Sequence, residues 1–259
     1  MISHRLANDG VANVRRTLTM TRRFTILARA ITAPVLALTI VATILTGAVV
    51  HARAASTLGL RRSEWTNHAI GKVDHAVFGL ALDAASCAVD DGVVSNPSTL
   101  TVIDYSKTST MKRLWVYDLR NRALLYEELV AHGQGSGDNM ATRFSNAPET
   151  HRSSLGLFAT EGTYTGKNGY SLRLEGLEPG VNDRAYERDI VMHGAPYVSE
   201  DFALTHGRLG ASWGCPAVRP RIARELIDRI KGGNLLFAYY PDQQWLKTSK
   251  FLGRCGAPQ

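Results

Sequence analysis

The residue best suited to covalent chemistry is Cys215, in the segment Ala211-Ser212-Trp213-Gly214-Cys215-Pro216-Ala217-Val218. Gly214 permits a positive φ or a close backbone approach, and Pro216 removes one N–H and stiffens the exit. Such a turn exposes a sulfur and leaves neighbouring amides to stabilise an oxyanion. A thiol attacks as its thiolate, so it needs a base or an electropositive neighbour near neutral pH. Three histidines are candidate bases. His193 closes the strand-like run Asp189-Ile190-Val191-Met192 and precedes Gly194, a setting from which an imidazole faces a cleft. His206, in His206-Gly207-Arg208, is the runner-up, and His132, in Ala131-His132-Gly133, reads as structural. Ser212 is assigned to support of the cysteine turn, and Trp213 to packing or a cleft wall.

The elements that must position these residues follow from hydropathy. Ile70, Val73, Val77, Leu80 and Ala84 recur at helical spacing and predict one helix over 65–89, ending near Asp90-Asp91-Gly92. Strands are expected at 100–105, 113–119, 123–130, 155–160, 170–174, 189–193 and 235–240. Pro220 is placed to open a helix whose apolar face is Ile222, Leu226, Ile227 and Ile230, with Gly232-Gly233 as its end. A loop or short helix covers 199–207. The stretch Gly133-Gln134-Gly135-Ser136-Gly137 is no phosphate loop, because no Lys-Ser/Thr pair follows, and it reads as a mobile loop. The pattern is one mixed, mainly β domain (α+β), with helices at both ends of its sequence.

The net charge of +7 would ordinarily raise nucleic acid as a partner. Its distribution argues otherwise. Residues 1–54 hold seven arginines, no lysine and one acid, and the rest of the chain is near neutral. No basic stripe with interleaved aromatics remains for a phosphate backbone. Residues 1–54 instead read as a signal peptide or an N-terminal membrane anchor. Arg15, Arg16, Arg22, Arg23 and Arg29 precede an apolar run over 30–50, and Ala52 and Ala54 fit a cleavage site. The run is long enough to span a bilayer if it is not cleaved. Met20 would give a presequence of more ordinary length. Residues 55–99 are read as a linker and N-terminal helix, and 100–259 as the domain that carries Cys215 and its candidate bases. Three cysteines in an exported chain leave one thiol unpaired or paired elsewhere. The oxidising compartment and the special setting of Cys215 point to a Cys87–Cys255 disulfide. No His-Glu-x-x-His or Cys-x-x-Cys arrangement calls for a metal, and no cofactor is expected.

His193-Gly194 after a strand, then Ser212-Trp213-Gly214-Cys215, resembles the L,D-transpeptidase catalytic domain, the YkuD-like murein cross-linking fold. The chain is most similar to the proteobacterial subgroup with Ser-Trp-Gly-Cys-Pro-Ala. The similarity runs from about Leu100 to Leu246, through Leu100-Thr101-Val102-Ile103-Asp104-Tyr105, Val130-Ala131-His132-Gly133 and Ser153-Ser154-Leu155-Gly156. There are two departures. Trp213 stands where many members carry a histidine, so a second imidazole is missing there. The separation of His193 and Cys215 is longer than is common, and the extra length holds Tyr197, Phe202, His206 and Arg208.

The resemblance implies a β-sandwich or barrel with flanking helices. It implies a murein L,D-transpeptidase acting on peptidoglycan tetrapeptide stems. Cys215 would attack the carbonyl of the third residue while His193 takes the thiol proton and returns it to the departing D-alanine amine. The N–H groups of Gly214 and Cys215 would hold the oxyanion. A stem amine would resolve the thioester into a 3→3 cross-link; water would make the enzyme an L,D-carboxypeptidase, and a protein lysine is a third acceptor. Tyr197, His206 and Arg208 are candidate substrate contacts, and Arg219 is read as structural. A non-catalytic wall-binding envelope protein is the alternative of a different class. The expected location is the periplasm or cell envelope, with membrane contact only through an uncleaved N-terminal segment.

Overall fold

The computed structural model describes residues 58–253, so residues 1–54 and Cys255, with the expectations placed on them, lie outside the described residues. A short helix α1 (Asn67–Ile70) precedes α2 (His75–Asp90). Strands β1 (Thr99–Asp104), β2 (Leu114–Asp118), β3 (Ala123–Glu128) and β4 (Val130–Ala131) follow. Then come β5 (Gly156–Gly166), β6 (Gly169–Gly176), β7 (Val191–Gly194), α3 (Glu200–His206) and β8 (Ala217–Val218). The chain continues through α4 (Pro220–Ile230), β9 (Leu235–Tyr239) and α5 (Gln243–Thr248).

Among the described residues, nine strands join one sheet in the order β3-β2-β1-β9-β5-β6-β7-β8-β4. The first and last strands of that order, β3 and β4, are separated in the chain only by Leu129. The two edges are therefore brought together and the sheet curls into a nearly closed barrel, which leaves little free edge. Arg113 fastens the join. Its backbone N–H donates to Glu128 O, and its guanidinium donates to Val130 O.

Leu100, Val102, Trp115, Leu157, Leu172, Leu174, Met192 and Phe237 from the strands bury together with Val77, Ala81, Leu82 and Ala85 of α2 and Leu226, Ile227 and Ile230 of α4. Residues 75–90 thus belong to the same core as the sheet. The single helix expected over 65–89 is broken. The chain turns at residues 71–74, and Asp74 restarts it as a cap whose carboxylate accepts from the N–H groups of Ala76 and Val77. The strand expected over 123–130 is likewise two strands, because β3 and β4 pair with different neighbours. Among the described residues no helix is long and apolar enough to cross a membrane.

Candidate active site

Strand register decides what meets at the site. β7 and β8 pair in parallel with His193 opposite Ala217, so the residue two positions before Ala217, Cys215, runs beside Val191 on the same face. On the other side of β7, Ser171 lies opposite His193 and Arg173 opposite Val191. Side chains alternate, so Leu172, Leu174 and Met192 enter the core while Ser171, Arg173, His193 and Cys215 share the opposite face. That face opens into a cleft of about 640 Å³ lined by Cys215, His193, Tyr197, Ser212, Trp213 and Arg188, among others.

The cysteine turn is held from several directions. Gly214 has φ +119°, and a Cβ there would lie 2.9 Å from both Arg152 O and Ile190 Cδ1, so only glycine fits. Ser212 Oγ donates to Cys215 O at 2.6 Å and accepts from Gly214 N–H at 3.1 Å. Ser153 Oγ donates to Gly214 O and accepts from Gly133 N–H. Gln134 N–H donates to Ser212 O, and Ser212 N–H donates to His132 O. The glycine-rich stretch 133–137, expected to be a mobile loop, is instead tied to the turn and contains a short 3₁₀ helix, Gln134–Ser136, with Ser136 buried.

Cys215 is a buried free thiol. Its Sγ donates to Asp189 O and accepts from Val191 N–H, each at 3.5 Å. Burial pushes the thiol up, opposed by the Val191 N–H and the Arg188 guanidinium. His193 is also buried, and burial pushes its imidazole down. Its Nδ1–H donates to Gly194 O at 3.0 Å, which leaves the lone pair on Nε2. The resting pair is neutral thiol and neutral imidazole. Sγ and the imidazole are not hydrogen-bonded to each other in this arrangement, so proton transfer from sulfur to Nε2 requires the two to draw closer as the sulfur attacks. The N–H of Gly214, expected as an oxyanion donor, is committed to Ser212. Among the described residues the N–H groups of Trp213 and Cys215 donate to no other residue, and the Cys215 N–H faces its own sulfur.

The other candidates divide. Tyr197 lines the cleft, with burial pushing its phenol up to about 12. Trp213 is 66% exposed; His151 stacks on it at 4.9 Å. His206 is exposed at the end of α3, where it stacks on Phe202 and bonds to Phe202 O; it does not line the cleft. Arg208 donates to Leu209 O and is also absent from the lining. Arg219 is buried and grips Glu128 through two N–H groups at 2.8 and 2.5 Å, a structural pair. Gly194 lets α4 approach: a Cβ would lie 2.9 Å from Ala223 Cβ. His132 is buried, accepting at Nδ1 from Arg113 at 2.7 Å and donating from Nε2 to Gly137 O. Cys87 is disulfide-bonded and buried.

Sequence reasoning missed Arg188, which donates to Ser145 O, Ser154 Oγ and Arg152 O beneath the cysteine turn. It also missed Tyr164, Lys167 and Arg173 on the β5–β6 hairpin. The alternation Ser171-Leu172-Arg173-Leu174 carried the signal, since it sets Arg173 on the polar face. Among the described residues no group of His, Cys, Asp and Glu side chains gathers to hold a metal.

Residues 69–239 match the family model described as L,D-transpeptidase catalytic domain. Solved structures with similarity include an L,D-transpeptidase from Mycobacterium smegmatis, at 14% identity and TM-score 0.33, covering 55% of this chain and 59% of that one. L,D-transpeptidase 3 from Mycobacterium tuberculosis matches at 11% identity and TM-score 0.35, covering 56% and 62%. An L,D-transpeptidase from Stackebrandtia nassauensis matches at 15% identity and TM-score 0.35, covering 67% and 73%. The chain thus spans about three fifths of the length of the first of these. No curated protein matches the chain.

Proposed function

The chain belongs to the L,D-transpeptidase catalytic-domain family, and from that premise we propose that it is a murein L,D-transpeptidase working through a Cys215 thioester. The observation that carries this reading is the placement of a free cysteine and a tautomer-fixed histidine on one sheet face, lining one cleft.

The donor is a peptidoglycan tetrapeptide stem. His193 Nε2 takes the proton from Cys215 as Sγ attacks the carbonyl of the third residue. The oxyanion forms against the N–H groups of Cys215 and Trp213, and one such donor is worth about 3 kcal/mol of barrier. Collapse breaks the C–N bond, and the imidazolium returns its proton to the departing D-alanine amine. The thioester is then resolved by a stem amine, giving a 3→3 cross-link. The arginine-rich, apolar segment over 1–54 supports export to the periplasm or cell envelope, where such stems are found.

Incubation with disaccharide tetrapeptides and mass spectrometry of the products tests this. Released D-alanine together with a 3→3 dimer is expected. Released D-alanine without dimer would replace transpeptidation by L,D-carboxypeptidation. Unchanged muropeptides would overturn the enzymatic reading in favour of a wall-binding protein.

A further inference from the structure

Most of the cations around the cysteine turn are spent on the protein itself. Arg188 gives its N–H groups to main-chain and serine oxygens, Arg219 to Glu128, and Arg113 to Val130, Lys107 and His132. Arg173 and Lys167 differ. Both line the nucleophile's cleft, and among the described residues neither makes an ion pair or a hydrogen bond. Their contacts are with aromatic rings. The Arg173 guanidinium carbon lies over Tyr164 at 4.4 Å and over Tyr186 at 5.3 Å. Lys167 Nζ lies over Trp213 at 5.5 Å.

That arrangement has a chemical consequence. Rings attract a cation through their faces and accept none of its N–H groups strongly. The guanidinium is held in place while its N–H edge stays free, and that edge matches a carboxylate with two parallel hydrogen bonds. The register also sets the distance. Arg173 faces Val191, which flanks Cys215, so two interstrand spacings separate Arg173 from the nucleophile, about 10 Å between backbones. Lys167, Arg173 and Arg188 face only one carboxylate in the cleft lining, Asp189, so the local field favours an anion.

We propose that Arg173, held between Tyr164 and Tyr186 and seconded by Lys167, is the carboxylate-recognition site for the acyl donor. This rests on the acyl-transfer reading above. The ligand class is a peptide with a free carboxylate, whether its C-terminal group or a side-chain carboxylate. An uncharged amidated peptide would lose the interaction.

Binding and acylation are measured side by side to separate this inference from the reading beneath it. Calorimetry uses the Cys215→Ala protein, which binds without turnover, with a tetrapeptide stem in four forms: carboxylates free, amidated at the C-terminus, amidated on the side chains, and amidated at both. The fully amidated peptide is expected to bind at least about tenfold more weakly than the free one. Arg173→Gln in the same background should weaken the free peptide by a similar factor and leave the amidated one nearly unchanged. Arg173→Lys should recover part of the preference, because it keeps the charge and loses the fork. The singly amidated peptides tell which carboxylate is read. An Arg173→Gln protein that still prefers the free peptide, or a parent that shows no preference or binds no peptide, overturns the proposal. Intact mass of the parent with native Cys215 is read in parallel. A preserved binding preference without acylation would sink the chemistry and support the carboxylate site; acylation without preference would sink the site alone.

Discussion

Burial acts on Cys215 and His193 in opposite directions, raising the thiol and lowering the imidazole, so both sit uncharged in the resting cleft. The thiolate then arises with attack, not before it. Alkylation of Cys215 by iodoacetamide reports this, because only the thiolate reacts. The rate is expected to climb with pH, without a neutral plateau, and to reach its midpoint above 9, the ordinary thiol value from which burial raises it. A fast plateau from about pH 5 to 8 would mean a preformed thiolate–imidazolium pair. Acylation by substrate needs neutral His193. A base with a depressed value loses its lone pair only at lower pH, so the acid limb of kcat/KM should fall below pH 6.5. An acid limb above 6.5 would contradict the burial argument. At this scale the positive φ of Gly214 was legible from residue type and neighbours, whereas the choice of Cys215 and His193 drew on the resemblance of their motifs. Arg173 and Arg188 were not legible, since arginines at no fixed spacing from the cysteine carry no motif. Only pairing across β6 and β7 brings Arg173 to the nucleophile.

Elements place these residues through a few close approaches. β7 carries His193 and Gly194, and α4 lies directly on Gly194. A methyl at position 194 would lie 2.9 Å from Ala223 Cβ and 3.2 Å from Pro220 Cα. Gly194→Ala should therefore push α4 from β7 and cost about 1–3 kcal/mol. It should also move His193 and lower the acylation rate. Urea unfolding and acylation kinetics check both; an unchanged denaturation midpoint would remove the packing role given to Gly194. The helix α4 was readable from Pro220 and its apolar spacing, and β1, β6 and β9 from short apolar or alternating runs. The broken start of α2 was not, because apolar spacing continues through the Asp74 cap. Strand β8 has two residues, too few for any period, and α5 is a mostly polar turn capped by Asp242.

The molecule closes its sheet where β3 gives way to β4, and a buried polar pair lies at that join. Arg113 is fully buried and donates to His132 Nδ1, and His132 is held well below the ordinary imidazole range, at about 4, by burial and by Arg113. A histidine depressed in this way binds fewer protons folded than unfolded between about pH 4 and 6.5. Its contribution to stability is therefore complete above 6.5 and is lost as pH falls toward 4, about 3 kcal/mol in all. Urea unfolding at several pH values should show this slope, and His132→Gln should flatten it while lowering stability at pH 7. An unchanged slope in the variant would assign the acid sensitivity elsewhere. Barrel closure was only partly legible. Alternation suggested a mainly β domain, but the pairing of distant strands, β1 with β9 and β4 with β8, has no local signature.

The central claim is that Cys215 and His193 together make an acyl-enzyme. Intact-mass spectrometry after exposure to a tetrapeptide donor tests it most directly. The parent protein should gain the mass of the acyl group, mapped to Cys215. Cys215→Ala should gain nothing, His193→Ala should acylate about 10²–10⁴-fold more slowly, and His206→Ala should acylate at close to the parent rate. An adduct that survives Cys215→Ala, or normal acylation in His193→Ala with loss in His206→Ala, would contradict the account.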